Sequence, residues 1–274
     1  MYPIAWRVGD FAIGTHDAFS ILAIVVGFGL YYRELRVRGW LEPRIVWISL
    51  AALLGAAIGA RILTAWEQPD WWVAYASLPL TQALEISGKS IIGAIVGGYL
   101  AITLSKRALG YRRSTGDAYV LALPIATAIG RIGCFLTELP LGTPTTLPWG
   151  VSVDPAAAAA FASCPGCPGP MHPTMLYEIA FNLAAVVVLW RFRARVPAPG
   201  DALKLYLLAA ATFRFLVEFI RTSPRQAFDL TSPQWVLIPI IALLLLHFVR
   251  QSRRNAWRVP QPPPAFGAAP AATS

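Results

Sequence analysis

The chain has 274 residues, of which 56% are hydrophobic and only 14% are charged, and its formal net charge is +9. Soluble domains usually carry about a quarter charged residues, so this composition and a mean hydropathy of +0.55 argue against an ordinary water-soluble domain. Three cysteines are too few for a disulfide framework. The basic residues are dispersed over several loops, so the positive charge requires no polyanion and we expect no nucleic-acid partner.

Seven segments are apolar and long enough to cross a hydrocarbon core of about 30 Å as helices. They are roughly residues 15–33, 45–66, 90–105, 117–137, 175–191, 202–221 and 232–250. We therefore predict an all-α polytopic integral membrane protein with about seven transmembrane helices, organised as one transmembrane domain over residues 1–258. The segment 68–87 carries clustered tryptophans typical of a membrane interface. Residues 259–274, rich in Pro and Ala, are predicted to be a disordered tail.

Positive charge alternates between the loops. The loops after the first, third, fifth and seventh predicted spans hold four Lys or Arg residues each, whereas the other loops hold few. Because cytoplasmic loops collect Lys and Arg, the alternation predicts an N-terminus outside and a C-terminus in the cytoplasm. The long loop 138–171 has no Lys or Arg and is predicted to lie on the outer side.

Three arginines, Arg61, Arg131 and Arg214, fall within predicted spans, and Glu218 and Arg221 follow closely. An arginine at the bilayer centre costs about 2.5–3.5 kcal/mol on insertion scales, so such residues are functional candidates by default. Their planar fork of N–H donors suits a phosphate group. Two structural alternatives remain: Arg214 and Glu218, four residues apart, can neutralise each other, and Arg61 can extend to the membrane interface.

Polar residues close the outer loop in the sequence His-Pro-Thr-Met-Leu-Tyr-Glu, residues 172–178. His172 is a candidate general base, although a single loop histidine is more often structural. Thr174 is placed to cap the following helix. Glu178 either stabilises the start of that helix or contributes to a site.

The same loop contains Cys164-Pro-Gly-Cys167. The spacing is compatible with a redox pair or with half of a zinc site. No second cysteine pair is present, so we favour a local disulfide that pins the loop. The remaining cysteine, Cys134, is predicted to be a small apolar filler.

Several ordered blocks together resemble the bacterial prolipoprotein diacylglyceryl transferases over roughly residues 15–250. The blocks are Gly-Ala-Arg (59–61), Ser-Ile-Ile-Gly-Ala-Ile-Val-Gly-Gly (90–98), Gly-Arg-Ile-Gly-Cys-Phe (130–135) with Gly142 and Leu-Pro-Trp-Gly-Val (147–151), His-Pro-Thr-Met-Leu-Tyr-Glu (172–178) and Arg-Phe-Leu-Val-Glu-Phe-Ile-Arg (214–221). Each block alone is weak, but five in the family's order on seven spans are fairly specific.

The resemblance implies a multi-pass transferase of the bacterial plasma (inner) membrane. Such an enzyme moves a diacylglyceryl group from phosphatidylglycerol to the cysteine thiol of a lipoprotein signal peptide, and glycerol phosphate leaves. The expected partners are therefore phosphatidylglycerol, prolipoprotein signal peptides and membrane lipid. No metal and no cofactor is implied.

The resemblance also assigns expected roles to individual residues. Arg131 and Arg214 would hold the lipid phosphate and offset charge on the leaving group, and Glu218 and Arg221 would orient them. The candidate catalytic residues are Arg131, Arg214, His172 and Lys89. The candidate phosphatidylglycerol-binding residues are Arg131, Arg214, Arg61, Glu218, Arg221, Gly130, Gly133, Gly142, Tyr177 and Glu178.

The chain departs from the family pattern at several positions. Ile92 stands where the family usually has a histidine, Cys134 where it has an asparagine, and Ala210 where it has a tyrosine. Lys89, close to the missing histidine, is a possible replacement base or phosphate ligand. Besides the diacylglyceryl transferase itself, two alternatives therefore stay open: a related membrane lipid transferase with another acceptor, and a non-enzymatic lipid-binding or transport protein on the same scaffold.

Overall fold

The structure is a computed structural model, and it describes residues 4–8, 11–67, 90–137, 142–152, 169–196 and 198–253. Within these residues the chain is mainly helical, as predicted. The α-helices are α1 (Thr15–Val37), α2 (Pro43–Glu67), α3 (Ile91–Ala108), α4 (Ala122–Thr137), α5 (Thr174–Phe192), α6 (Asp201–Val217) and α7 (Ser232–Arg253). The predicted interfacial segment 68–87, the predicted tail 259–274, Lys89 and the Cys164–Cys167 pair lie outside the described residues.

Six described helices are long and apolar enough to cross a membrane. They are α1, α2, α3, α5, α7 and the continuous stretch Gly116–Thr137, in which a 3-10 turn leads into α4. The multi-pass prediction is thereby confirmed. The predicted span 202–221 forms α6, which has 17 residues and a length of about 26 Å. It ends earlier than predicted because the backbone tightens into the 3-10 turn Glu218–Ile220 and becomes extended at Arg221.

The described residues fall into two compact units. The first takes its residues from Met1–Arg38 and Ser114–Ser274, and the second is Gly39–Arg113. In the first unit α1 packs on α4, α4 on α5, and α6 on α5 and α7. A buried apolar cluster of Val120, Leu189, Ala202 and Tyr206 lies between these helices. Packing in this unit brings α4, α5 and α6 together, and these helices carry half of the candidate residues: Gly130, Arg131, Gly133, Tyr177, Glu178 and Arg214.

The second unit is held by close contact between α2 and α3. Gly55 and Gly59 on α2 face Gly97 and Gly93 on α3, and a Cβ at any of the four would collide with the backbone of the opposite helix. Small residues four apart allow two membrane helices to approach closely, so that dispersion contacts replace the hydrophobic effect as the attractive force. The glycines of the predicted third span therefore serve helix packing.

Among the described residues, two short pairs of antiparallel strands accompany the helices. One, between β1 (Ile4–Val8) and β2 (Phe11–Gly14), precedes α1 and was not predicted from the sequence. The other pairs β3 (Val151–Ser152) with β4 (Pro170–Met171) in the outer loop. From this loop the Thr143 amide donates to the Ile220 carbonyl at 2.8 Å, and the His172 amide donates to the Thr143 carbonyl at 3.0 Å. The loop therefore connects the start of α5 to the end of α6.

We expect Gly59→Ala to destabilise the protein by about 1–3 kcal/mol, because the added methyl group overlaps the backbone of α3. The matched control is Gly29→Ala on α1, where a Cβ meets nothing within 4 Å. That change removes backbone freedom from the unfolded chain and should be neutral or slightly stabilising. Thermal unfolding of the purified protein in detergent measures both effects. Equal midpoints for the two variants would contradict the packing role of Gly59.

Candidate active site

The Glu178 carboxylate lies between two arginines from different helices. One oxygen, Oε1, accepts a hydrogen bond from Arg214 Nη1 of α6 at 2.7 Å, and the other, Oε2, forms an ion pair with Arg131 Nε of α4. The Glu178 side chain is only 7% exposed. One buried carboxylate therefore ties α5 to both α4 and α6.

A second carboxylate, Glu218, completes the group at the end of α6. It is fully buried, and its Oε2 lies 2.8 Å from Arg214 Nη2 and 3.7 Å from Arg221 Nε. Arg221 Nη1 lies 3.9 Å from Glu178 Oε1 and 3.5 Å from the Thr174 hydroxyl. Together Arg131, Glu178, Arg214, Glu218 and Arg221 form one connected set, which we name the arginine cluster.

The arginine cluster is not electrically neutral. It contains three guanidinium groups and two carboxylates, which leaves a formal charge of +1 on the cluster. Arginine does not deprotonate in proteins, so this positive charge cannot be removed by proton loss. The most exposed of the three guanidinium side chains is Arg214 at 17%. A site with surplus positive charge and forked N–H donors is suited to an anionic group such as a phosphate.

Local sequence explains part of this geometry. Arg214 and Glu218 are four residues apart, so the predicted pairing along one helix face is present. Thr174 was predicted to cap α5, but it is instead the first helical residue, buried, and Pro173 occupies the cap. Glu178 lies beyond the first turn of α5, so the alternative in which it stabilises the helix start does not apply. Its partners are the arginines of the neighbouring helices.

The two glycines beside Arg131 differ in their surroundings. A Cβ at Gly133 would overlap Phe19 of α1, so this glycine permits α4 to pack on α1. A Cβ at Gly130 meets nothing within 4 Å. Of the two, only Gly130 borders open space of the kind expected where a ligand approaches.

The outer loop brings three polar side chains together at the start of α5. Trp149 Nε1 donates to the Tyr177 hydroxyl at 2.8 Å, and that hydroxyl lies 3.1 Å from His172 Nδ1. The Tyr177 hydroxyl accepts the indole N–H and keeps its own proton, which it can donate to His172 Nδ1 when that nitrogen carries none. Trp149 was not among the candidate residues, although its Leu-Pro-Trp-Gly-Val block indicated the loop.

Gly142 determines how closely the outer loop approaches this group. It forms an isolated β-bridge with Arg221, and a Cβ at this position would overlap His172. A glycine is therefore required where the loop passes between the histidine and the end of α6. In this way Gly142 connects His172 to the arginine cluster.

The structure also describes the candidate Arg61 and the predicted filler Cys134. Arg61 belongs to the second unit, where its Nη1 donates to the Ala57 carbonyl one turn earlier at 3.3 Å. Cys134 is buried, as predicted for a filler, and its sulfur also lies 3.8 Å from Arg131 Nη1. Across the part of the chain that the structure describes, no group of three or more His, Cys, Asp or Glu residues is arranged to hold a metal ion.

A family model described as prolipoprotein diacylglyceryl transferase matches residues 3–250 of the chain. The chain belongs to this family. It is 29% identical to a phosphatidylglycerol–prolipoprotein diacylglyceryl transferase of Bordetella avium, covering 93% of this chain and 96% of the relative. It is 30% identical to proteins of the same name from Gloeobacter violaceus, covering 93% and 94%, and Cereibacter sphaeroides, covering 90% and 92%. The family expected from the sequence blocks is therefore confirmed over nearly the whole chain.

We expect Glu178→Gln to lower the free energy of unfolding by about 3–5 kcal/mol, because it leaves the buried guanidinium groups without their shared counter-charge. The matched control is Asp229→Asn, which removes an ion pair to Arg225 from a carboxylate that is 82% exposed. Exposed pairs contribute about 0–1 kcal/mol. Thermal and denaturant unfolding in detergent measure the two variants. A Glu178→Gln protein as stable as Asp229→Asn would show that the buried carboxylate does not hold the helices together.

Proposed function

We propose that the protein transfers a diacylglyceryl group from phosphatidylglycerol to the cysteine thiol in the signal peptide of a prolipoprotein. The observation that carries the proposal is the arginine cluster, whose surplus positive charge is held between three helices of a multi-pass membrane protein. Membership of the prolipoprotein diacylglyceryl transferase family and the names of the relatives support the reaction.

The phosphodiester of phosphatidylglycerol matches the cluster in charge. A phosphodiester carries one negative charge, which balances the formal +1 of three arginines and two glutamates. Arg131 and Arg214 would contact the phosphate, since Arg214 is the most exposed and Gly130 leaves space beside Arg131. Glu178, Glu218 and Arg221 would hold the two guanidinium groups in place.

With the lipid phosphate held by Arg131 and Arg214, the proposed transfer is a substitution at a glyceryl carbon. The cysteine sulfur forms a bond to the terminal glyceryl carbon of the diacylglyceryl unit, and the bond from that carbon to the phosphate oxygen breaks. Glycerol phosphate leaves with the bonding electrons, so its phosphate gains negative charge in the transition state. Fixed guanidinium donors stabilise such developing charge more than they stabilise the bound substrate, which lowers the barrier.

The thiol must lose its proton as the sulfur attacks. We propose His172 as the acceptor, with Tyr177 as the relay: the tyrosine oxygen takes the thiol proton while its own proton passes to His172 Nδ1. The hydrogen bond from Trp149 to Tyr177 and the contact between Tyr177 and His172 support this path, in which His172 Nδ1 carries no proton before the transfer. Lys89 is the second candidate base. The related transferase with another acceptor would use the same cluster and differ at this step.

We further propose that the protein lies in the bacterial inner membrane with its N-terminus outside. The alternating Lys and Arg content of the loops supports this orientation. It puts the outer loop, the start of α5 and the end of α6 on the side where exported prolipoproteins arrive. Gly130 and Gly142 would border the lipid-binding region.

The test is complementation of a strain depleted of its own diacylglyceryl transferase, with a reporter prolipoprotein read by gel mobility and mass. We expect the wild-type chain to restore lipidation, and Arg131→Ala and Arg214→Ala to lose it by at least about a hundredfold, because each removes a fixed charge that would stabilise the leaving group. The control is Arg36→Ala, an exposed arginine in the last turn of α1. It should retain wild-type lipidation.

Protein levels in the membrane are measured for every variant. If the wild-type chain is present but restores no lipidation, the prolipoprotein is not its acceptor, and lipid analysis of the same cells would identify another product. If lipidation survives Arg214→Ala, the arginine cluster is not the catalytic site.

A further inference from the structure

A buried polar pair lies one helical turn below the arginine cluster. The Tyr206 hydroxyl of α6 donates to Asn182 Oδ1 of α5 at 2.7 Å, and Asn182 Nδ2 donates to the Glu178 carbonyl at 2.7 Å. Both side chains are only 4% exposed. None of the catalytic or lipid-binding roles proposed above involves either residue.

The pair joins the same two helices as the contact between Glu178 and Arg214. Asn182 follows Glu178 by four residues and therefore lies beneath it on one face of α5. Tyr206 precedes Arg214 by two turns of α6. The Thr127 hydroxyl, a neighbour of the Tyr206 hydroxyl, lies one turn before Arg131 on α4. Thr127, Asn182 and Tyr206 thus place neighbouring polar side chains on the same three helices that supply Arg131, Glu178 and Arg214.

The hydroxyl and the ring of Tyr206 make different contacts. The ring packs in the apolar cluster with Val120, Leu189 and Ala202, and a phenylalanine would fill the same volume. Only the hydroxyl gives a directed link to Asn182. In the low dielectric of the interior such a link is strong, and losing one partner leaves the other unsatisfied.

We propose that Tyr206 and Asn182 are positioning residues for the arginine cluster. Their hydrogen bond sets the distance and rotation of α5 relative to α6, so that the Glu178 carboxylate reaches Arg214 and Arg131 at the same time. The hydrogen bond from the Asn182 side-chain Nδ2 to the Glu178 carbonyl links this alignment to the residue at the centre of the cluster. The proposal rests on the proposed transferase function and deepens it.

The test is Tyr206→Phe in the purified full-length protein, assayed for diacylglyceryl transfer from phosphatidylglycerol to a prolipoprotein peptide. We expect kcat/KM per folded molecule to fall at least about tenfold, mostly through a higher KM for phosphatidylglycerol, because small displacements of positioning groups have large kinetic effects. The control is Tyr31→Phe on α1, which also removes the hydroxyl of a buried tyrosine, one that is 3% exposed. Its kcat/KM should stay within about twofold of wild type.

The double variant separates positioning from general stability. Asn182→Leu removes the bond to Tyr206 and the bond to the Glu178 carbonyl, so it should lose at least as much activity as Tyr206→Phe. The double variant, Asn182→Leu with Tyr206→Phe, should be no worse than Asn182→Leu alone, because Asn182→Leu has already removed the bond that Tyr206→Phe takes away. A structural role would reduce the yield of folded protein and leave kcat/KM of the folded fraction unchanged. That result, or losses that simply multiply in the double variant, would overturn the proposal.

Failure of the transferase function is recognised separately, because wild type itself would then transfer nothing to the peptide. In that case the positioning role is tested by how strongly the protein retains phosphatidylglycerol, measured by native mass spectrometry in detergent. Tyr206→Phe should retain the lipid about tenfold more weakly than wild type, while Tyr31→Phe should match wild type. Equal retention by all three proteins would overturn the positioning role.

Discussion

The structure of the first unit depends on one constraint: three largely buried guanidinium groups that cannot lose their protons require counter-charge inside a membrane protein. Glu178 supplies half of this counter-charge and contacts Arg131 on one side and Arg214 on the other. Because these partners come from α4 and α6, the carboxylate also determines which helix faces meet. Packing, polar pairing and the candidate site are consequences of the same contact.

A buried ion pair alone is weak support for stability, since desolvation of two charges offsets much of their attraction. The arginine cluster carries an additional cost because its charges do not cancel. An anion that binds there removes this cost, and any ligand that binds only the folded state stabilises it. The surplus charge is therefore better explained by a ligand than by folding, and in a membrane an abundant monoanion is a phospholipid headgroup. The arrangement favours phosphate over an uncharged lipid for the same reason.

The helices were predictable from sequence because apolar length is a local property, and each predicted span agrees with a helix to within a few residues. The pairing of Arg214 with Glu218 was predictable because it follows helix periodicity. The ion pairs of Glu178 were not, since they join residues 47 and 36 positions apart and depend on tertiary packing. The same applies to Asn182 and Tyr206, which have no motif, and to Gly133, whose neighbour Phe19 lies on another helix.

The positive charge of the arginine cluster bears on two departures from the family pattern, Cys134 and Ile92. Cys134 stands beside Arg131, and a thiol accepts hydrogen bonds only weakly, so it competes little with a phosphate for that guanidinium. Ile92 stands where the family usually has a histidine, so in the proposed reaction the substrate thiol would lose its proton without that side chain. A cysteine is already a few per cent thiolate near neutral pH, and positive charge nearby favours that form further. In the proposed reaction, a cluster with surplus positive charge would therefore assist both halves: it would hold the lipid phosphate, and it would favour the thiolate form of the substrate cysteine.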